Sequence, residues 1–225
     1  SSFLFESENV SDGLALGYND WNGCVAFSGN NNSLMELSDF DLGEEMTIAF
    51  WAKGDGSAGT NTSVLEAFDT DNNRVINIHM PWSDNSMYFD AGQGSGYDRI
   101  NKTMTAGEID NTWNHWAFVK NTPTGVMQIY KNGALWHSGT NKNLPLGNVH
   151  RFVLGANKDY TNNWKGKIDE FQLFSVALDQ STIQGLMLQQ PDDQHSNWSD
   201  LLVYYDFDSL VTLRRPYLNY TLNPC

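Results

Sequence analysis

The chain has 225 residues, 40% of them hydrophobic, 13% aromatic and 18% charged, with a net charge of −14. That length fits one large β domain, or one domain and a fragment of another. An acidic surface makes nucleic acid a poor partner, and no apolar run approaches the roughly 18 residues of a membrane span. Abundant glycine and asparagine with few charges suit a loop-rich β protein.

In chain order, short alternating segments are separated by turn clusters. "CVAF" (24–27), "SLMEL" (33–37) and "MTIAFWAK" (46–53) come first. "SVLEAFD" (63–69), "RVINIHM" (74–80) and "SMYFDAG" (86–92) follow. "WNHWAFVK" (113–120), "VMQIYKNG" (126–133), "ALWHSG" (134–139), "RFVLGA" (151–156) and "KIDEFQLF" (167–174) complete the run. Regular short strands with such turns predict an all-β sandwich or barrel. Asn132-Gly133 accepts the positive φ of a tight hairpin turn. One helix is expected around 179–189, capped by Asp179 or Ser181. These elements place one domain over 1–190. The remainder, 191–225, reads as a polar linker followed by "LLVYYDFDSL" (201–210), which either closes the first sheet or opens a following module.

Cys24 and Cys225 have no zinc spacing and no CxxC pattern; they pair with each other or Cys225 pairs outside the chain. Six N-x-S/T sequons start at Asn9, Asn31, Asn61, Asn101, Asn197 and Asn219, in keeping with a secreted or cell-surface glycoprotein.

Catalytic readings are weak. "EIDNTW" offers Glu108 and Asp110 but no second Glu, where glycoside hydrolysis needs a carboxyl pair. The five histidines are scattered, and His115 reads as a packing residue of its strand. In "WKGKIDEFQLFSVAL", strand alternation puts Asp169, Phe171 and Leu173 on one face and Glu170 on the other. The two carboxylates therefore form no dyad. Asp169 is expected inside, as a structural anchor or a metal ligand.

"FSGNNNSLMEL", "MTIAFWAK", "NHWAFVKN", "MQIYKNGAL", "FVLGAN" and "WKGKIDEFQLFSVALDQSTI" follow one another as in laminin-G-like domains. The chain resembles this concanavalin A-like, pentraxin-like family over about residues 24–187. The resemblance implies a two-sheet antiparallel jelly-roll sandwich with loops along an edge. It also implies a non-catalytic recognition module of a secreted or surface protein. The partner is then a glycan or an extracellular protein, as in adhesion modules, and a glycosidase or polysaccharide lyase is the remaining alternative.

Pentraxins bind calcium with an early Asp-Asn hairpin and a later acidic loop. Here "DTDNN" offers Asp69, Asp71, Asn72 and Asn73, and "GANKDY" offers Asn157 and Asp159, with Lys158 departing from the pattern. Asx-turn chemistry explains the same residues. Superfamily relatives hold a second ion near the strand of Asp169, which Asp12 and Asn9 would complete. Trp82, Tyr97, Trp136, Tyr160 and Trp164 lie in or beside loops, where sugar rings stack. The expected ligand edge is "DTDNN" with "GANKDYTNNW", through Tyr160, Trp164, Asn157, Asp159 and Asn162. The concave face, carrying Trp82 or Trp136, is the competing place.

Overall fold

A computed structural model describes residues 14–17, 24–31, 33–55, 61–94 and 96–207. Among them, the strands make two antiparallel sheets packed face to face. The eight-stranded sheet runs β1 (Leu14–Gly17), β2 (Cys24–Ser28), β13 (Lys165–Phe174), β4 (Glu45–Gly54), β9 (Asn114–Asn121), β10 (Val126–Lys131), β11 (Ala134–Gly139). The six-stranded sheet runs β3 (Met35–Asp41), β12 (Asn148–Leu154), β5 (Ser63–Phe68), β6 (Arg74–His79), β7 (Ser86–Ala91), β8 (Asp98–Thr103). The remaining strand, β14 (Leu201–Tyr205), pairs with the second half of β13, beyond the stretch that pairs with β2. The 201–210 segment thus contributes a strand that completes the eight-stranded sheet.

Period-two alternation builds the core. Met46, Ile48, Phe50 and Ala52 of β4 point between the sheets, as do Leu65 and Ala67 of β5 and Ile76 and Ile78 of β6. Phe50 lies against Phe118 at 5.8 Å and Phe171 at 6.0 Å within one sheet. Phe89 and Phe152 reach across from the other, 5.4 Å from Phe118 and 5.9 Å from Phe171. Each fully buried ring contributes about 1.5–3 kcal/mol.

One charge lies inside this core. Lys120 of β9 is fully buried, and its Nζ donates to Asp98 Oδ2 (2.6 Å), Ala91 O (3.2 Å) and Lys142 O (3.2 Å). Lys120 therefore ties the eight-stranded sheet to β7, β8 and the segment before β12.

A second apolar layer covers the outer face of the eight-stranded sheet. Ala49, Ala117, Val119, Tyr130 and Phe174 meet Ile183 and Leu186 of α2 (Gln180–Leu186), with Leu201 and Tyr204 of β14. Asp179 caps α2, accepting from Thr182 N at 2.7 Å. Gln180 and Gln184 both donate to Gly133 O, seating the helix on the β10–β11 hairpin. Asn132 and Gly133 adopt φ of 48° and 73°, the positive values the tight turn requires.

Two expectations are corrected here. A bulge interrupts β13: Glu170 has φ 51°, and the pairing with β4 slips between Asp169 and Gln172. The slip reverses the alternation, so Ile168 and Phe171 both face the core while Asp169, opposite Trp51, faces outward. Asp169 is buried all the same, and its Oδ1 accepts from Glu170 N at 2.9 Å. The second correction is a one-turn helix, α1 (Ala106–Ile109), in the stretch expected as a loop. Glu108 Oε2 accepts from Thr105 N and Thr105 Oγ1, while its Oε1 accepts from Trp136 Nε1 at 2.8 Å.

Gly155, after β12, has φ +93°, and a Cβ there would clash with the Phe27 ring. Phe27 is itself buried edge-on against Trp164 and has no room to yield. Gly155→Ala is expected to cost about 2–3 kcal/mol through overpacking and backbone strain. Melting would fall on the order of 5–10 °C, measurable by calorimetry; an unchanged Tm would refute the crowding.

Candidate binding cavity on the six-stranded sheet

The outer face of the six-stranded sheet is crossed by one row of side chains. Register aligns Glu36, Val153, Glu66, Asn77, Asp90 and Arg99 on successive strands. Glu66, Asn77 and Asp90 are almost fully buried polar groups, so they require partners. Arginines supply those of Glu66 and Asp90, and His79 meets the Asn77 amide nitrogen. Arg74 donates through Nε to Glu66 Oε1 (2.9 Å) and through Nη1 to Asp90 Oδ2 (2.7 Å). Arg99 grips Asp90 through Nε (2.6 Å) and Nη2 (2.8 Å). The Arg99 guanidinium lies 4.7 Å from the Tyr88 ring centre and 5.1 Å from that of Tyr97, and Arg74 lies 5.0 Å from Tyr97. These contacts fix both guanidinium groups.

Beside them stands His79. Its Nδ1 is 3.1 Å from Thr62 O and its Nε2 3.0 Å from Asn77 Nδ2. The carbonyl only accepts and the amide only donates, so the imidazole is neutral with its proton on Nδ1. Burial pushes its pKa down to about 4, with Arg74 and Arg99 adding to the effect. Trp82 packs on the His79 ring at 4.2 Å. Tyr88 OH donates to Asp84 at 2.6 Å.

The loop after β12 folds back over this face. Lys158 N donates to Glu66 Oε2 (2.6 Å), and Ser63 N donates to Asn162 O (2.7 Å). Between sheet and loop lies a cavity of about 230 Å³, lined by Arg74, Arg99, His79, Trp82, Tyr88, Asn157 and Asn162.

Of the residues expected at the loop edge, Asn157 and Asn162 line this cavity and Tyr160, Trp164 and Asp159 do not, while Trp82, expected with the competing face, lines it too. Trp164 is fully buried in the core, because the chain turns inward into β13 at that point. Tyr160 is half-buried: its OH donates to Glu36 Oε1 (2.7 Å) and Arg151 covers its ring at 4.9 Å. Asp159 is exposed and pairs with Lys158 at 3.4 Å. Trp136 belongs to β11 and packs edge-on against Trp116. The two loops expected to form one edge, one leaving β5 and the other β12, lie at opposite ends of β5. Phe68 faces Arg151 while Leu65 faces Leu154, so "DTDNN" and "GANKDYTNNW" diverge.

The turns that carry the expected calcium ligands are closed by Asp69 and Asn157. Asp69 Oδ1 accepts from Asp71 N (2.9 Å) and Asn73 N (2.8 Å), with Asn72 at φ 68° in the turn. Asn157 Oδ1 accepts from Asp159 N and Thr161 N. Both loops are Asx turns. Asp71 and Asn72 thus lie in a different turn from Asp159, and among the described residues no three His, Cys, Asp or Glu side chains are grouped for a metal. Asp12, Asn9 and Cys225 lie outside the described residues, and so does the question of a Cys24–Cys225 bridge.

Two antiparallel sheets packed face to face define a jelly-roll sandwich. The chain belongs to the laminin-G family of the concanavalin A-like lectin/glucanases superfamily, whose model matches residues 27–184. No curated protein matches it. Its fold is similar to domain 4 of AbnA, an extracellular arabinanase of Geobacillus stearothermophilus solved with arabinotriose. The TM-score is 0.61 at 21% identity, over 80% of this chain and 83% of that one. The binding domain of botulinum neurotoxin serotype G gives a TM-score of 0.60 at 14% identity, over 79% of this chain and 45% of that one. The heptameric SAP-like pentraxin of Limulus polyphemus gives 0.55 at 15% identity, over 80% and 90%. The chain thus spans less than half of the neurotoxin domain. Among the described residues no helix is long and apolar enough to cross a membrane.

Proposed function

We propose that the chain is a non-catalytic recognition module that binds a saccharide in the cavity over β6, β7 and β8. The observation that carries this is the composition of the cavity. An aromatic wall, Trp82 on His79 with Tyr88 beside it, meets N–H donors from Arg74, Arg99 and Asn162. A sugar needs an aromatic face for its C–H groups and planar polar partners for its hydroxyls. Hydrolysis would need two open carboxyl groups. The acids beneath this cavity, Glu66 and Asp90, are 2% and 0% exposed and are held by arginine. The donors are N–H groups, so binding needs no bridging calcium. An extracellular parent protein suits the reading, and the similarity to a domain solved with arabinotriose supports it.

A glycan array with the wild-type chain tests binding, followed by Trp82→Ala. Trp82 is partly exposed, so its removal should leave the melting temperature nearly unchanged. Affinity should fall about tenfold or more, as for an interface anchor. Tyr160→Phe, outside the cavity, should bind as wild type. Full affinity in Trp82→Ala would place the site elsewhere. A chain that binds protein partners and no glycan would favour an adhesion module instead.

A further inference from the structure

The cavity is unevenly furnished. The chain carries a net charge of −14, yet the cavity lining holds two guanidinium groups and no carboxylate. Arg74 and Arg99 spend their Nε and one Nη each on Glu66 and Asp90, on the side toward the sheet. Arg74 Nη2 and Arg99 Nη1 make no hydrogen bond among the described residues, although the two side chains are 25% and 37% exposed. The planes carrying these groups are already fixed by Asp90 and by Tyr88 and Tyr97. Their orientation is therefore set before any ligand arrives.

The acceptors of the same wall, the Asn162 amide oxygen and the Tyr88 phenol oxygen, are fewer than its donors. Both His79 ring nitrogens are engaged, by Thr62 O and Asn77 Nδ2. Asn157 Oδ1 already accepts from Asp159 N, Thr161 N and Thr161 Oγ1. Trp82 has only a donor, and Tyr88 directs its proton to Asp84. A neutral sugar presents hydroxyls that must both donate and accept. A carboxylate only accepts, is planar, and forms charge-assisted bonds with guanidinium.

We infer that the saccharide taken here is acidic, with a sugar carboxylate, as in a uronic or sialic acid, placed at the outer edges of Arg74 and Arg99. The inference rests on the saccharide reading of the cavity. The stacked ring of such a sugar would lie on Trp82 while its carboxylate meets the two arginines. The four paired charges beneath cancel, so the attraction comes from the open guanidinium edges and is short-ranged.

The test is an array on which each uronate- or sialate-bearing glycan is printed beside its carboxyl-reduced counterpart, probed with the wild-type chain. The acidic member of a bound pair should bind at least tenfold tighter. That ratio should shrink as salt rises from 50 to 500 mM, since screening weakens exposed ion pairs. Arg99→Lys retains a cation beside Asp90 but loses the fork; it should lower the acidic-to-neutral ratio severalfold with little change for the neutral glycan. Its melting temperature reports folding separately. Equal binding of both members, abolished by Trp82→Ala, would overturn the acidic inference and leave the saccharide reading standing. Binding confined to sulfated glycans would also overturn the carboxylate. Binding to no glycan would overturn both.

Discussion

Lys120→Ala is expected to lower the unfolding free energy by about 3–5 kcal/mol, the range for breaking one side of a buried ion pair. The substitution removes three bonds at once. Asp98 loses its 2.6 Å partner and keeps only Leu144 N, while the carbonyls of Ala91 and Lys142 lose a donor. It also leaves a cavity where a fully buried side chain stood. For a domain of this size the loss corresponds to a Tm decrease on the order of 10 °C. Lys120→Met with Asp98→Asn removes both charges and conserves most of the volume. This double variant should recover a large part of the loss. Chemical denaturation of the three proteins checks it. A single variant within about 0.5 kcal/mol of wild type, the scale of ordinary surface changes, would show that Lys120 is not a tie between the sheets.

Acid should weaken the fold well above the carboxylate range. His79 and His115 are both pushed down from 6.5 to about 4, His115 by burial alone. His115 is 1% exposed on the outer face of the eight-stranded sheet, edge-on to Trp51 at 5.4 Å. Below pH 6.5 the unfolded chain takes up protons at these two imidazoles that the folded chain refuses until about pH 4. Stability is therefore complete above 6.5 and falls as pH drops through that window. Each imidazole contributes a slope of about 1.4 kcal/mol per pH unit there, so the pair approaches about 2.7. Urea titrations at pH 7, 6 and 5 measure it, above the range where most carboxylates titrate. His115→Leu should remove about half the slope. A flat profile from pH 7 to 5 would mean that the histidines are not buried neutral.

Sequence pattern reached the strands because a sandwich strand carries its own alternation. "MTIAFWAK" and "ALWHSG" need no tertiary context to be placed, and Asn132-Gly133 identifies its hairpin by backbone chemistry alone. "DRINKT" escaped notice as β8 because only Ile100 in it is buried. The Asp169 face was misread because nothing in "KIDEFQLF" announces a residue at positive φ; Glu170 is an unusual occupant of that region. The cavity was only partly legible. Asn157 and Asn162 stood out in a polar loop, but they meet residues about 60 to 85 positions earlier in the chain. One signal was available. Three successive segments bear alternating polar residues on a single face: Asn77 and His79, Tyr88 and Asp90, Arg99 and Asn101. Arginine, aspartate and histidine in that row differ from the Thr, Ser and Lys of a plain solvated sheet. Trp164 misled because "KDYTNNW" is polar up to its last residue, and the inward turn begins only there.

The position of β13 also bears on how the chain is made. Thr47 in β4 donates to Val176 O and accepts from Leu178 N, partners 129 and 131 residues away. At roughly 5–20 residues per second, a ribosome needs on the order of 10 s to supply them. Throughout that interval the first apolar strands lack their central neighbour. Folding should accordingly be slow, since such distant pairings must close large loops before they gain anything. The heavy negative charge then has a use apart from any ligand. It keeps nascent chains repelling one another until the last strands arrive.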